Sequence, residues 1–184
     1  MYPDSMPNVN RITVPECYSC KAIWEDAEPH FKNTLLAIWN PDELPNDSRV
    51  QSMWRGFNEK DGRRRARDLA SQFRTVEIGG LPRTKVYPDE DPTFNLILRR
   101  IVRGLIHKHR LGTAIADERV SCKVMRWMVP PAFESEFTWY VIADDFVRYA
   151  YARSDEESIH SFWLVRFSSH IAFFGFVATE NSEA

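Results

Sequence analysis

The sequence predicts an α+β fold, with a helical middle and a C-terminal antiparallel β-meander packed on one long amphipathic helix. Three observations predict it. Over residues 92–110, Phe94, Ile97, Leu98, Ile101, Val102 and Leu105 recur at helical spacing, with Asp91 placed to cap, Pro92 in the first turn and Gly112 beyond the end. After residue 119 the period drops to two, as Val120, Cys122 and Val124 alternate with Ser121, Lys123 and Met125. Finally, residues 146–153, 159–167 and 171–177 are β-prone runs joined by short polar connections, and sequential strands so joined pair antiparallel.

The other elements follow in chain order. Residues 1–10 carry two prolines and no periodicity, so no regular structure is expected there. Residues 11–14 are β-prone and end at Pro15; a knuckle turn is expected at Cys17-Tyr18-Ser19-Cys20. A helix is predicted to start near Asp26, with Pro29 in its first turn and Phe31, Leu35 and Ile38 on its apolar face, stopping at Asn40-Pro41. Asp47 caps a second helix over 48–58, with Val50, Met53, Trp54 and Phe57 at spacings of three and four. A third helix is predicted over 63–73, where Arg63, Arg64, Arg65 and Arg67 precede Leu69 and Phe73. Val76 and Ile78, then Gly79-Gly80, then Thr84 and Val86 read as a hairpin. The chain is read as residues 1–45, a knuckle and first helix, followed by an α+β body over 46–184. The last seven residues are polar and expected to fray.

Composition narrows the class. No apolar run reaches the roughly 18 residues that a membrane span needs, and residues 1–11 lack both the basic and the apolar regions of a secretory signal. Three cysteines, two of them three positions apart, argue against a disulfide framework and for a reducing, cytoplasmic setting. The net charge of −2 is sorted along the chain: −4 over residues 1–53, +7 over 54–110 and −5 over 111–184. A basic middle between acidic flanks fits either a nucleic-acid face or internal salt bridging.

Cys17 and Cys20 are the sharpest local signal. Two thiolates at this spacing reach one Zn²⁺, but a structural site takes four ligands, and no second Cys-x-x-Cys or His-x-x-x-His is present. A redox pair and two ordinary buried cysteines are the alternatives. The Arg63–Arg67 cluster and the helix face carrying Arg99, Arg100, Arg103 and Arg110 are candidate phosphate contacts or plain solvated faces. His107 and His109 point about 200° apart on their helix, so they share no metal, and His109 leans toward the apolar side. The aromatic C-terminus is read as sheet packing, with a base-stacking platform as the alternative.

The order of segments carries a resemblance. Residues 10–20 (Asn-Arg-Ile-Thr-Val-Pro-Glu-Cys-Tyr-Ser-Cys) followed by Glu25-Asp26-Ala27-Glu28-Pro29-His30-Phe31 resemble the back half of a bacterial HNH-endonuclease-like family. The likeness continues at residues 99–107 (Arg-Arg-Ile-Val-Arg-Gly-Leu-Ile-His) and at residues 162–167 (Phe-Trp-Leu-Val-Arg-Phe). It implies an N-terminal zinc-knuckle remnant and a nucleic-acid-related role, with DNA or RNA as partner. Asn10 matches the family's central asparagine, and Cys17 and Cys20 match one pair of its zinc ligands.

The family's opening Cys-x-x-Cys and Glu-His-x-x-Pro segment, which carries its general-base histidine, is not found in these residues, and Lys21 stands where the family has asparagine. The resemblance therefore implies a catalytically incomplete chain, with a divalent metal involved only if it is active. A shortened version of a longer protein, a degenerate descendant kept for binding, and a homodimer sharing one four-thiolate zinc site are the three expectations. A protein-interaction or regulatory module with no nucleic-acid role, which the acidic flanks suit, is the reading from a different class.

Overall fold

The computed structural model describes residues 18–38, 48–60, 62–86, 88, 91–112, 115–125, 131–135, 137–143, 147–167 and 171–179. Residues 1–10, the expected strand over 11–14, Cys17, the Asn40-Pro41 stop and the polar tail beyond 179 lie outside them. The fold is α+β, and the chain divides into two compact units, Tyr18–Phe94 and Asn95–Ala184. Among the described residues no helix is long and apolar enough to cross a membrane.

The first unit holds α1 (Tyr18–Ile38), α2 (Ser48–Phe57), α3 (Gly62–Ala70) and a hairpin of β1 (Phe73–Ile78) and β2 (Leu81–Val86). Helix α1 corrects the expected start near Asp26: Tyr18 to Cys20 are already helical where a knuckle turn was expected. Pro29 accordingly lies inside the helix rather than in its first turn. There it removes one intrahelical hydrogen bond, at a cost of about 3 kcal/mol. Burial offsets this. Trp24, Ala27, Phe31 and Leu35 form one stripe at spacings of three and four, are buried with Leu36, and lie in a core shared with Met53, Leu69 and Phe94. The rings of Phe31 and Phe94 stand 4.5 Å apart. Helix α3 ends earlier than predicted, because Phe73 leaves the helix to become the first residue of β1, opposite Val86. Gly79 and Gly80 turn the hairpin with φ of 62° and 76°, a left-handed pair that matches the twist of the two strands.

Helix α4 (Pro92–Lys108) begins at the end of the first unit and runs on into the second. It stops two residues before the expected 110. Arg110 takes φ 55°, while the Leu111 amide donates to the Ile106 carbonyl at 3.1 Å and the Arg110 amide to that of His107 at 3.0 Å. This is a Schellman ending with arginine where glycine is usual; Gly112 lies beyond it.

The second unit is a five-stranded antiparallel sheet, ordered β3-β7-β6-β5-β4, over β3 (Val120–Met125), β4 (Tyr140–Ala143), β5 (Val147–Arg153), β6 (Ile159–Phe167) and β7 (Ile171–Ala178). A one-turn helix α5 (Pro131–Glu134) lies between β3 and β4. The meander predicted from residue 146 onward is present, and two features extend it. Strand β4 adds an edge that the sequence reading passed over, and β3 closes the other edge against β7. Register places Tyr151, Trp163, Gly175 and Cys122 in one row across four strands. The face they share is the buried one, with Tyr149, Trp163, Val165, Phe173 and Val177 fully enclosed. Helix α4 packs here: a Cβ on Gly175 would stand 3.0 Å from Val102 Cγ2, so the missing side chain sets the helix-to-sheet distance.

Candidate functional site

Helix α3 is built against its own electrostatics. A helix N-terminus carries a partial positive charge and favours acidic residues, yet the first turn of α3 holds none and opens Gly62-Arg63-Arg64-Arg65. Arg63 and Arg67 are an i,i+4 pair of like charge, which destabilises an isolated helix by about 0.2–0.5 kcal/mol. Arg63, Arg64 and Arg67 are exposed and fall within about 100° of the helix circumference, opposite the buried Gly62 and Leu69. No ion pair engages these three among the described residues. Three uncompensated cations in one strip on solvent form a surface suited to a polyanion.

The other candidate residues sit differently. Arg65 is half-buried, with Nη2 3.4 Å from the Gly56 carbonyl oxygen and 3.7 Å from Glu59 Oε2. It ties α3 to the C-terminal end of α2, where a cation suits the helix dipole. In the second unit, Arg99 Nε stands 2.8 Å from Asp117 Oδ2, an ion pair with its N–H angled off the oxygen. Arg103 Nη1 lies 3.6 Å from Asp117 Oδ1. One aspartate at the turn before β3 therefore holds two of the four arginines named from the sequence on this helix face; of the other two, Arg100 is half-buried and Arg110 is exposed. Cys20 is half-buried in the first turn of α1, and among the described residues no group of three His, Cys, Asp or Glu side chains is placed to hold a metal ion. Cys17 and Asn10 lie outside the described residues.

A polar cluster without a local sequence signal lies in the first unit. His30 of α1, Gln72 of the turn after α3 and Asp91 before α4 converge on one point. His30 Nε2 is 2.5 Å from Asp91 Oδ2, and Gln72 Nε2 is 2.8 Å from the same oxygen. Asp91 Oδ1 accepts the Thr93 amide at 2.9 Å, which is the N-cap predicted for this helix. Burial raises the carboxyl pKa of Asp91, but His30 and the amides of Thr93 and Phe94 together outweigh it and hold the group below its ordinary range. The cluster lines an open cleft of about 380 Å³ whose walls include Asp68, Ser71, Arg74 and Thr93. Its partners stand far apart in sequence, so no local motif announces it.

In the second unit His109 is enclosed by rings, with centroids 4.5 Å from Tyr151 and 4.9 Å from Tyr140, and its Nε2 is 2.8 Å from the Tyr149 hydroxyl. Burial, then the neighbouring Lys108 charge, push its pKa down. His107 on the other side of α4 is exposed.

Comparison of the chain with protein-family profiles, with curated proteins and with solved structures finds no match in any of the three.

Proposed function

We propose that this chain is an HNH-endonuclease-like, nucleic-acid-binding protein that grips the phosphate backbone through α3. The observation that carries the reading is the solvent-facing strip of Arg63, Arg64 and Arg67, set on a helix whose dipole and like-charge spacing both work against three cations unless an anion is brought to them. Residues 62–67 hold four arginines and no carboxylate, so the field at the strip itself is positive. No Glu-His-x-x-Pro segment occurs in the 184 residues, so the proposal assigns them binding and no HNH-type hydrolysis. Equilibrium binding of labelled single-stranded RNA and duplex DNA at about 50 mM salt tests it. Wild type binds, and Arg63→Ala/Arg64→Ala/Arg67→Ala loses most of the affinity.

A second reading is a protein-interaction or regulatory module. It draws on Tyr18, Ile23 and Trp54, which are 89%, 57% and 60% exposed in the first unit. Failure to bind either nucleic acid at low salt favours it.

A further inference from the structure

The His30 cleft has the parts of a proton-accepting site. The Asp91 carboxylate is held ionised, so the short contact to His30 Nε2 is a charge-assisted hydrogen bond in which Nε2–H donates. Gln72 donates a second hydrogen bond to the same Asp91 oxygen and the Thr93 amide binds the other, so the carboxylate cannot swing away. Gln72 Nε2 also lies 2.9 Å from His30 Nε2, so two N–H groups share the one carboxylate oxygen; in the tautomer with its proton on Nε2 the imidazole lone pair is on Nδ1. Nδ1 has no partner among the described residues. The His30 and Asp91 side chains retain 19% and 10% exposure, so water and ligand reach the pair through the cleft. A carboxylate that fixes the tautomer of a histidine, whose other nitrogen is open, is the arrangement of a general base.

The surroundings select a substrate class. The cleft follows directly on α3: Ser71 and Gln72 line it, and they come immediately after the last residue of that helix. Arg74, the second residue of β1, stands in its wall. One base and one nearby cation suffice where the substrate brings its own nucleophile, and the ribose 2′-hydroxyl of RNA is such a group.

We propose that His30 is the general base of an RNA-cleaving site in the Tyr18–Phe94 unit, with Asp91 as its positioning residue and Arg74 facing the phosphate. The proposal rests on the nucleic-acid reading of α3. His30 Nδ1 takes the proton of the 2′-hydroxyl. The 2′-oxygen forms a bond to the adjacent phosphorus, and the bond from phosphorus to the 5′-oxygen breaks. The departing 5′-oxygen takes a proton from water, and the imidazolium returns its proton to the hydroxide so formed. The products are a 2′,3′-cyclic phosphate and a 5′-hydroxyl; no oxidant or co-reactant enters.

The test uses the full chain in EDTA with a labelled DNA strand containing a single ribonucleotide, beside an all-DNA control. Expected are cleavage only at the ribonucleotide, a cyclic phosphate end, and an intact control. His30→Gln, which keeps a hydrogen-bonding group toward Asp91, lowers the rate at least about 100-fold with binding within about two-fold of wild type and a cooperative unfolding transition that shows the variant is folded. Nitrogen NMR of His30 shows Nε2 protonated and Nδ1 bare; Asp91→Asn alters this tautomer and lowers the rate, and Asp91→Glu restores part of it. Binding without cleavage, cleavage undiminished in His30→Gln, or a proton on Nδ1 overturns the proposal and leaves the binding reading standing. Absence of binding overturns both.

Discussion

His30 and Asp91 are 61 positions apart in the chain, yet the imidazole Nε2 and the carboxylate Oδ2 meet at 2.5 Å. One carboxylate group thus caps α4 through Thr93 and anchors α1 through His30. In the first unit α1 is thus held by a polar contact at the cleft as well as by its buried apolar stripe.

The Asp91 contact makes stability sensitive to acid. Its carboxyl pKa is lowered in the folded chain, so the unfolded chain takes up the proton first as pH falls. The contribution is present above the ordinary aspartate pKa and is lost as pH drops through the folded value. Denaturant unfolding of wild type therefore weakens more between about pH 5 and pH 3 than that of Asp91→Asn. Parallel curves would count against the assignment.

His109 adds a second pH dependence, also from a lowered folded pKa. The neutral imidazole is the form that fits among Tyr140, Tyr149 and Tyr151. Its contribution is complete above the ordinary imidazole pKa and declines as pH falls from about 7 to 5. His109→Phe flattens this part of the stability profile, read by urea unfolding at fixed temperature.

Arg110 at φ 55° holds a conformation that an L side chain adopts only at a cost of about 1 kcal/mol. Arg110→Gly is expected to stabilise the chain by about that amount, seen as a raised midpoint of urea unfolding with unchanged slope.

Gly175 and Val102 set how closely α4 lies on the sheet. Gly175→Val forces overpacking and costs about 1–3 kcal/mol. Val102→Ala in the same chain relieves the clash, so the two changes couple by about 0.5 kcal/mol or more in a double-mutant cycle. Strict additivity would mean the helix is positioned elsewhere.

The parts legible in the sequence were those whose signal is local. Asp91, Pro92 and the apolar period announced α4, Gly79-Gly80 announced the hairpin, and short polar connections announced the meander. Pro29 misled because proline is commonest in a first turn, and it displaced the start of α1 to Asp26; the buried stripe from Trp24 to Leu35 outweighs the missing hydrogen bond. Strand β4, four residues long, is too short for a period to show. Phe73 fits a helical face as well as a strand, and its pairing with Val86 decides between them. The arginines of α3 and α4 read alike in sequence; Asp117, well beyond α4 in the chain, is what separates them. The His30 cluster had no local signature, since Gln72 and Asp91 lie 42 and 61 positions from His30.

The salt dependence of single-stranded RNA binding tests the α3 interface most directly. The slope of log Kd against log salt measures how many phosphates the protein neutralises as counterions are released. Wild type is expected to bind at about 50 mM salt, and replacing Arg63, Arg64 and Arg67 by alanine should reduce the slope by about 2, near 0.7 for each phosphate that is no longer neutralised. An unchanged slope in the triple variant, or no binding by wild type at that salt, would contradict the claim that α3 is the nucleic-acid interface.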